Sequence, residues 1–83
     1  TACDPYYINE IASKSLNKKV TVPIVIFNAH EFIKSLVENL EKQTLFQETL
    51  FVFVVADLNV YHEVEAFCTK FPNNSVLVNF MND

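Results

Sequence analysis

The chain has 83 residues, about half of them apolar, with a formal charge of −4 and neither a glycine nor an arginine. That length admits one domain at most, and so small a domain buries only about 60 to 65% of the surface its unfolded chain exposes, so a completing partner or further chain is expected. The composition is too apolar for a disordered chain, and scattered lysines with no arginine fork make a poor footprint for nucleic acid, which is not expected as a partner. The longest nearly continuous apolar run, Leu50 to Ala56, is far short of the roughly 20 residues a transmembrane helix needs. Without glycine, neither a P-loop nor a dinucleotide-binding turn can form, because both need a backbone that approaches phosphate closely.

Asp4-Pro5 opens the first element. Aspartate is a good N-cap and proline suits the first helical position, and Tyr7, Ile8, Ile11, Ala12 and Leu16 follow at three-to-four spacing, which predicts a short helix over residues 5–15. A polar connector over 15–19 leads to Val-Thr-Val-Pro-Ile-Val-Ile-Phe at 20–27, dense in β-branched residues and apolar on both faces, as in a strand buried between helices. Pro23 removes a ladder donor, so it marks an edge strand, a strand entry, or pairing that begins at Ile24. Asn28 is a candidate helix cap with Glu31 at the third position, and Phe32, Ile33, Leu36, Val37 and Leu40 form an apolar stripe over about 29–43.

Residues 44–49 read as a loop and 50–56 as a second two-sided strand. Asn59 is a candidate cap for a helix that buries Val60, Val64, Phe67, Cys68 and Phe71 and ends before Pro72. A turn over 72–75 and a strand over 76–80 close the pattern. Strands alternating with helices of this length imply parallel crossover units. The expected fold is therefore α/β, a Rossmann-like βαβαβ unit with a parallel three-stranded sheet and a short N-terminal helix. Residues 1–83 are read as one such domain or a fragment of a larger α/β domain, with 1–19 as helix and connector and 20–83 as the βαβαβ unit. The expected core takes Ile24, Ile26, Val52, Val54, Val76 and Val78 from the strands, and Phe32, Leu36, Leu40, Val64 and Phe67 from the helical stripes.

Cys3 and Cys68 stand far apart with no CxxC and no histidine at ligand spacing, so no metal-ligating residues are predicted, and Cys68 reads as a small buried hydrophobe. His30 and His62 lack a partner carboxylate in sequence and read as surface residues. In an open parallel sheet ligands bind beyond the carboxyl ends of the strands. The groups available there are Phe27-Asn28-Ala29-His30, Asp57-Leu58-Asn59, and Asn79 to Asp83. The first two groups offer one carboxylate, an aromatic ring and amides, which can form a base-and-ribose site but no catalytic constellation, so no catalytic residue is predicted.

These residues carry a resemblance. The strand ending in Phe27-Asn28, then Phe32-Ile33 and Ser35-Leu36 through Leu40, Gln43-Thr44, and the second strand ending in Ala56-Asp57-Leu58-Asn59 resemble the opening of family-two glycosyltransferases of the GT-A fold, over residues 20 to about 80. Those enzymes begin with an apolar strand ending in Tyr-Asn, continue with a helix ending in Gln-Thr, and reach a second strand ending in Asp-Asp-Gly-Ser. Their first-strand aromatic and second-strand aspartate contact the base and ribose of a nucleotide sugar. The resemblance therefore implies Phe27 and Asp57 as nucleotide-binding residues, with Asn28 beside them. Ala56 and Leu58 depart from the family pattern, and the metal-holding Asp-x-Asp and the catalytic base would fall beyond residue 83.

The resemblance thus implies the nucleotide-sugar-binding N-terminal portion of a glycosyltransferase, catalytically incomplete on its own. Its partner would be a weakly bound nucleotide diphosphate sugar, together with the rest of a larger chain or a partner subunit. No cofactor is expected within this chain, and a divalent metal only in a complete glycosyltransferase. The alternative is a non-catalytic thioredoxin-like or Rossmann-like protein-interaction module. An all-parallel sheet favours the first reading, and an antiparallel edge with a flat apolar face the second.

Overall fold

The computed structural model describes residues 4–27 and 30–80, with backbone only at His30 and Glu31. The candidate cap and site residue Asn28, Cys3, Ala29 and residues 81–83 lie outside the described residues. The elements run α1 (Pro5–Ser15), β1 (Val20–Ile26), α2 (His30–Glu41), a 3₁₀ turn (Phe46–Glu48), β2 (Thr49–Val55), α3 (Leu58–Lys70), a second 3₁₀ turn (Pro72–Asn74) and β3 (Ser75–Asn79). The described strands form one parallel sheet in the order β1-β2-β3. This is a Rossmann-like α/β unit with a short N-terminal helix.

The central strand explains the architecture. Phe51, Phe53 and Val55 turn to one face, where Ile33 and Leu40 of α2 and Val60, Val64 and Phe67 of α3 cover them. Leu50, Val52 and Val54 turn to the other, where they meet Val76 and Val78 of β3 and Tyr7 and Ile11 of α1. Because helices close both faces of β2, its sequence is a near-continuous apolar run rather than an alternation. Phe67 is the hub of the α2–α3 side, its ring centroid 5.3 Å from Phe53, 5.1 Å from Phe71, 6.2 Å from Phe51 and 6.3 Å from Phe46. α1 starts where the sequence predicts, with the Asp4 carboxylate accepting from the Tyr6 N–H at 2.9 Å and Pro5 in the first turn.

The two edges of the sheet are treated differently. Ala56 N–H donates to the Ile26 carbonyl, so in the parallel ladder Ile26, Ile24 and Val22 bond toward β2, while Thr21, Pro23 and Val25 face outward. The N–H that Pro23 lacks would have pointed to the open edge. β1 therefore pairs along its whole length and loses no ladder bond, and the proline discourages pairing by another chain. The edge of β3 is closed instead by α1: the Tyr7 hydroxyl accepts from the Asn79 N–H at 3.4 Å and the Lys14 ammonium donates to the Ser75 carbonyl at 2.9 Å.

Several expectations need correction. Phe32, placed in the core by its stripe, is 71% exposed, and its neighbour Ile33 is the residue at 0%. Spacings 32/36/40 and 33/37/40 both satisfy a helical period, and only the position of β2 breaks the tie. Leu36 and Val54, and Ile24 on the edge strand, are partly buried rather than fully enclosed. Leu16 lies past the end of α1 and is exposed. The cap of α3 is Asp57 and not Asn59. Residues 44–49 are not simply a loop, since Phe46 buries its ring against Phe51 and Phe71 from a 3₁₀ turn.

The predicted turn at 72–75 contains two buried polar residues. Asn74 donates from Nδ2 to the Phe46 carbonyl at 2.9 Å and to the Thr49 carbonyl at 3.4 Å, tying the entry of β3 to the entry of β2. Ser75 already belongs to β3, and its hydroxyl donates to the Phe71 carbonyl at 2.7 Å. Replacing Asn74 with alanine strands buried carbonyls and is expected to destabilise the fold by about 1–3 kcal/mol in urea denaturation. A loss of only a few tenths would mean that water replaces the amide there.

Candidate functional site

The carboxyl ends of the strands finish level. Ile26 pairs with Val55 and Val55 with Asn79, Ala56 N–H donates to the Ile26 carbonyl at 2.9 Å, and Phe80 N–H donates to the Val55 carbonyl at 2.9 Å. The next residues, Phe27, Ala56 and Phe80, therefore form one row across the rim. Phe27 is 58% exposed. Asp57, one position further along the chain, is only 8% exposed, and its Oδ1 accepts from the Asn59 N–H at 2.9 Å and from Asn59 Nδ2 at 3.1 Å. Asn59, the cap expected from sequence, thus donates twice to the true one.

The structure brings Phe27 and Asp57 to the same rim of adjacent parallel strands. Ile26 and Val55 both turn into the α2–α3 core. Alternation then sends Phe27 to the opposite face and Asp57 to the α3 side, where it caps the helix. A ligand touching both must lie across the end of the sheet, over the Phe27–Ala56 row. Phe80 falls in the third rim group read from the sequence but is not among its predicted nucleotide-binding residues. Its signal was present, since it follows an apolar strand directly, as Phe27 does.

Among the described residues no three His, Cys, Asp or Glu side chains gather as a metal centre would require. Asp57 is the sole carboxylate in the second rim group, so the described donor set does not fit the divalent metal that the glycosyltransferase resemblance implies. His62 is exposed on α3, its Nδ1 3.7 Å from Oε1 of Glu65, which is also exposed, an i,i+3 pair in solvent. At the opposite, amino end of the sheet a cleft of about 460 Å³ is lined by Ser13, Lys14, Asn17, Lys18 and Asn73. Its ammonium groups are already engaged, Lys14 by Glu10 at 3.0 Å and the Ser75 carbonyl, and Lys18 by the Gln47 carbonyl at 2.8 Å.

Cys68 is half-buried against the α3 side of the core. Burial pushes its thiol above the usual range, outweighing the hydrogen bond with Ser75 and the Lys14 charge, which pull it down. The thiolate is the reactive form. In a Cys3→Ser chain, alkylation of Cys68 by iodoacetamide is therefore expected to run slower at neutral pH than that of an unstructured cysteine peptide, and to accelerate only at more alkaline pH. Equal rates and equal pH profiles would contradict the burial.

No helix among the described residues is long and apolar enough to cross a membrane. No family model matches the chain, and neither the curated proteins nor the solved structures contain a significant match to it.

Proposed function

We propose that the chain is the nucleotide-sugar-binding N-terminal portion of a glycosyltransferase, holding the nucleoside end of the donor at the carboxyl rim of β1 and β2 and leaving catalysis to residues outside it. The observation that carries this reading is the exposed ring of Phe27 and the carboxylate of Asp57 just beyond two adjacent parallel strands. Open parallel sheets bind ligands at that place. All described strands are parallel, which favours this reading over an interaction module built on an antiparallel edge.

Phe27 offers a stacking face and Asp57 an acceptor for ribose hydroxyls or a base N–H. Stacking contributes about 1–3 kcal/mol and a hydrogen bond to a charged group about 1.5–3 kcal/mol, which together give affinity on the order of millimolar. Calorimetric titration with uridine and guanosine diphosphates tests this. Asp57→Asn keeps a capping oxygen and removes the charge, so it should weaken binding about tenfold while the unfolding midpoint moves little. A folded wild-type chain that binds neither nucleotide at several times the expected Kd would sink the proposal. The purified chain should also show no turnover of a nucleotide sugar, since among the described residues the rim carries one carboxylate, Asp57, and no oriented base. Transfer or hydrolysis abolished by a point change within the chain would contradict that.

A further inference from the structure

We infer that the base is held in a slot between two phenylalanines, Phe27 and Phe80, that stand on either side of Ala56. This rests on the nucleotide reading above and adds to it a second ring, a small residue that keeps the slot open, and the face of the sheet on which the base lies.

The register makes the case. Phe27, Ala56 and Phe80 each follow the mutually paired residues Ile26, Val55 and Asn79, and the hydrogen bonds from Ala56 and Phe80 hold the row in line. Neighbouring strands lie about 4.8 Å apart, so the two phenylalanine backbones stand about 9.5 Å apart with one residue between them. A planar ring above Ala56 lies about one strand spacing from each backbone, so side chains at 27 and 80 can turn their rings to within stacking distance of it. Alanine at the middle of the row adds only a methyl group between the two rings, where a longer side chain would take the base's place.

Exposure and face agree with this. Phe80 is 36% exposed and Phe27 more so, although Phe27 directly follows the buried Ile26 and Phe80 lies two residues past the buried Val78. Val54 and Val78 turn to the α1 side, and alternation places Ala56 and Phe80 there with them. Phe27 follows Ile26, which turns to the α2–α3 side, so it too falls on the α1 side. Two residues back along each strand, on the same face, Val25, Val54 and Val78 pair in a second row and give the slot an apolar floor. α1 covers that floor at Val78, while Val25 is exposed. The result is an apolar shelf closed on the β3 side and open on the β1 side. Two ring faces over an aliphatic floor suit a nucleobase, because every base has a π face.

The test uses proton spectra of uridine diphosphate with the wild-type chain and with Phe27→Leu, Phe80→Leu and Ala56→Leu, and ribose 5-phosphate as the ligand without a base. Ring currents from two flanking phenylalanines should move the uracil H5 and H6 signals upfield. Each phenylalanine variant should weaken uridine diphosphate about fivefold to tenfold, and Ala56→Leu at least as much, with ribose 5-phosphate unaffected by all three. If the nucleotide binds the wild type while Phe80→Leu leaves affinity and base shifts unchanged, the slot is wrong and the nucleotide reading stands. If the wild type binds no nucleotide, both fall. Self-association of the chain that Phe27→Leu and Phe80→Leu abolish, with no response to nucleotide, would overturn the slot by making the row an interface between copies. Phe80→Leu changes an exposed side chain, so the test does not depend on Ala56→Leu folding.

Discussion

Phe67→Ala is expected to be the most damaging single truncation in the chain, lowering stability by about 3–5 kcal/mol. The ring lies within 6.3 Å, centroid to centroid, of Phe46, Phe51, Phe53 and Phe71, so removing it opens a cavity bounded by rings from both 3₁₀ turns' surroundings and from β2. The Phe67–Phe53 and Phe67–Phe51 contacts are edge-to-face, an arrangement that contributes beyond the buried area. A domain of this size has only about 4–12 kcal/mol in total. The variant should therefore be partly unfolded at ordinary temperature, and urea denaturation followed by circular dichroism reads the loss. A cost under about 1.5 kcal/mol would mean that α3 is not seated on β2 as described.

The second large effect separates two neighbours on α2. Ile33→Ala should destabilise by about 2–5 kcal/mol, because the side chain is fully enclosed. Phe32→Ala should stay within about 0.5 kcal/mol, as substitutions on an exposed surface do. Leu36, partly buried at the core's margin, should fall between them. The opposite order for Ile33 and Phe32 would rotate the helix and contradict the packing of α2 on the sheet.

The contrast between those two residues shows what the sequence could and could not reveal. Alternation of β-branched runs with amphipathic stretches is enough to place the described strands and α-helices, because each is a local pattern, whereas the 3₁₀ turn that buries Phe46 is not announced by one. The short N-terminal helix was equally legible, since its cap and its proline are adjacent in the chain. The rotation of α2 was not, because two overlapping stripes fit one helical period and the choice is made by β2, a separate element. Asn59 reads as the cap of α3 from sequence, and the chain instead starts the helix at Leu58 with Asp57 as its cap. Asn74 read as turn polarity because its carbonyl partners, Phe46 and Thr49, are more than twenty positions away.

The rim shows the same division. Phe27 and Asp57 could be nominated from their places after apolar strands, and parallel pairing does put them at one edge. Their departure to opposite faces depends on the register of Ile26 with Val55, which no periodicity in the chain states. Phe80 went unassigned for that reason. Its place beside Ala56 exists only once β3 is docked against β2.

The central claim, that ligand chemistry belongs to the carboxyl rim, is tested most directly by mapping backbone amide shifts across the whole chain during titration with uridine diphosphate. The largest shifts are expected at Phe27, Ala56, Asp57 and Phe80, saturating together, with about fivefold to tenfold more nucleotide needed in Asp57→Asn and Phe27→Leu. Shifts confined to Ser13, Lys14, Asn17, Lys18 and Asn73 would place the anion in the cleft at the amino end of the sheet and contradict it.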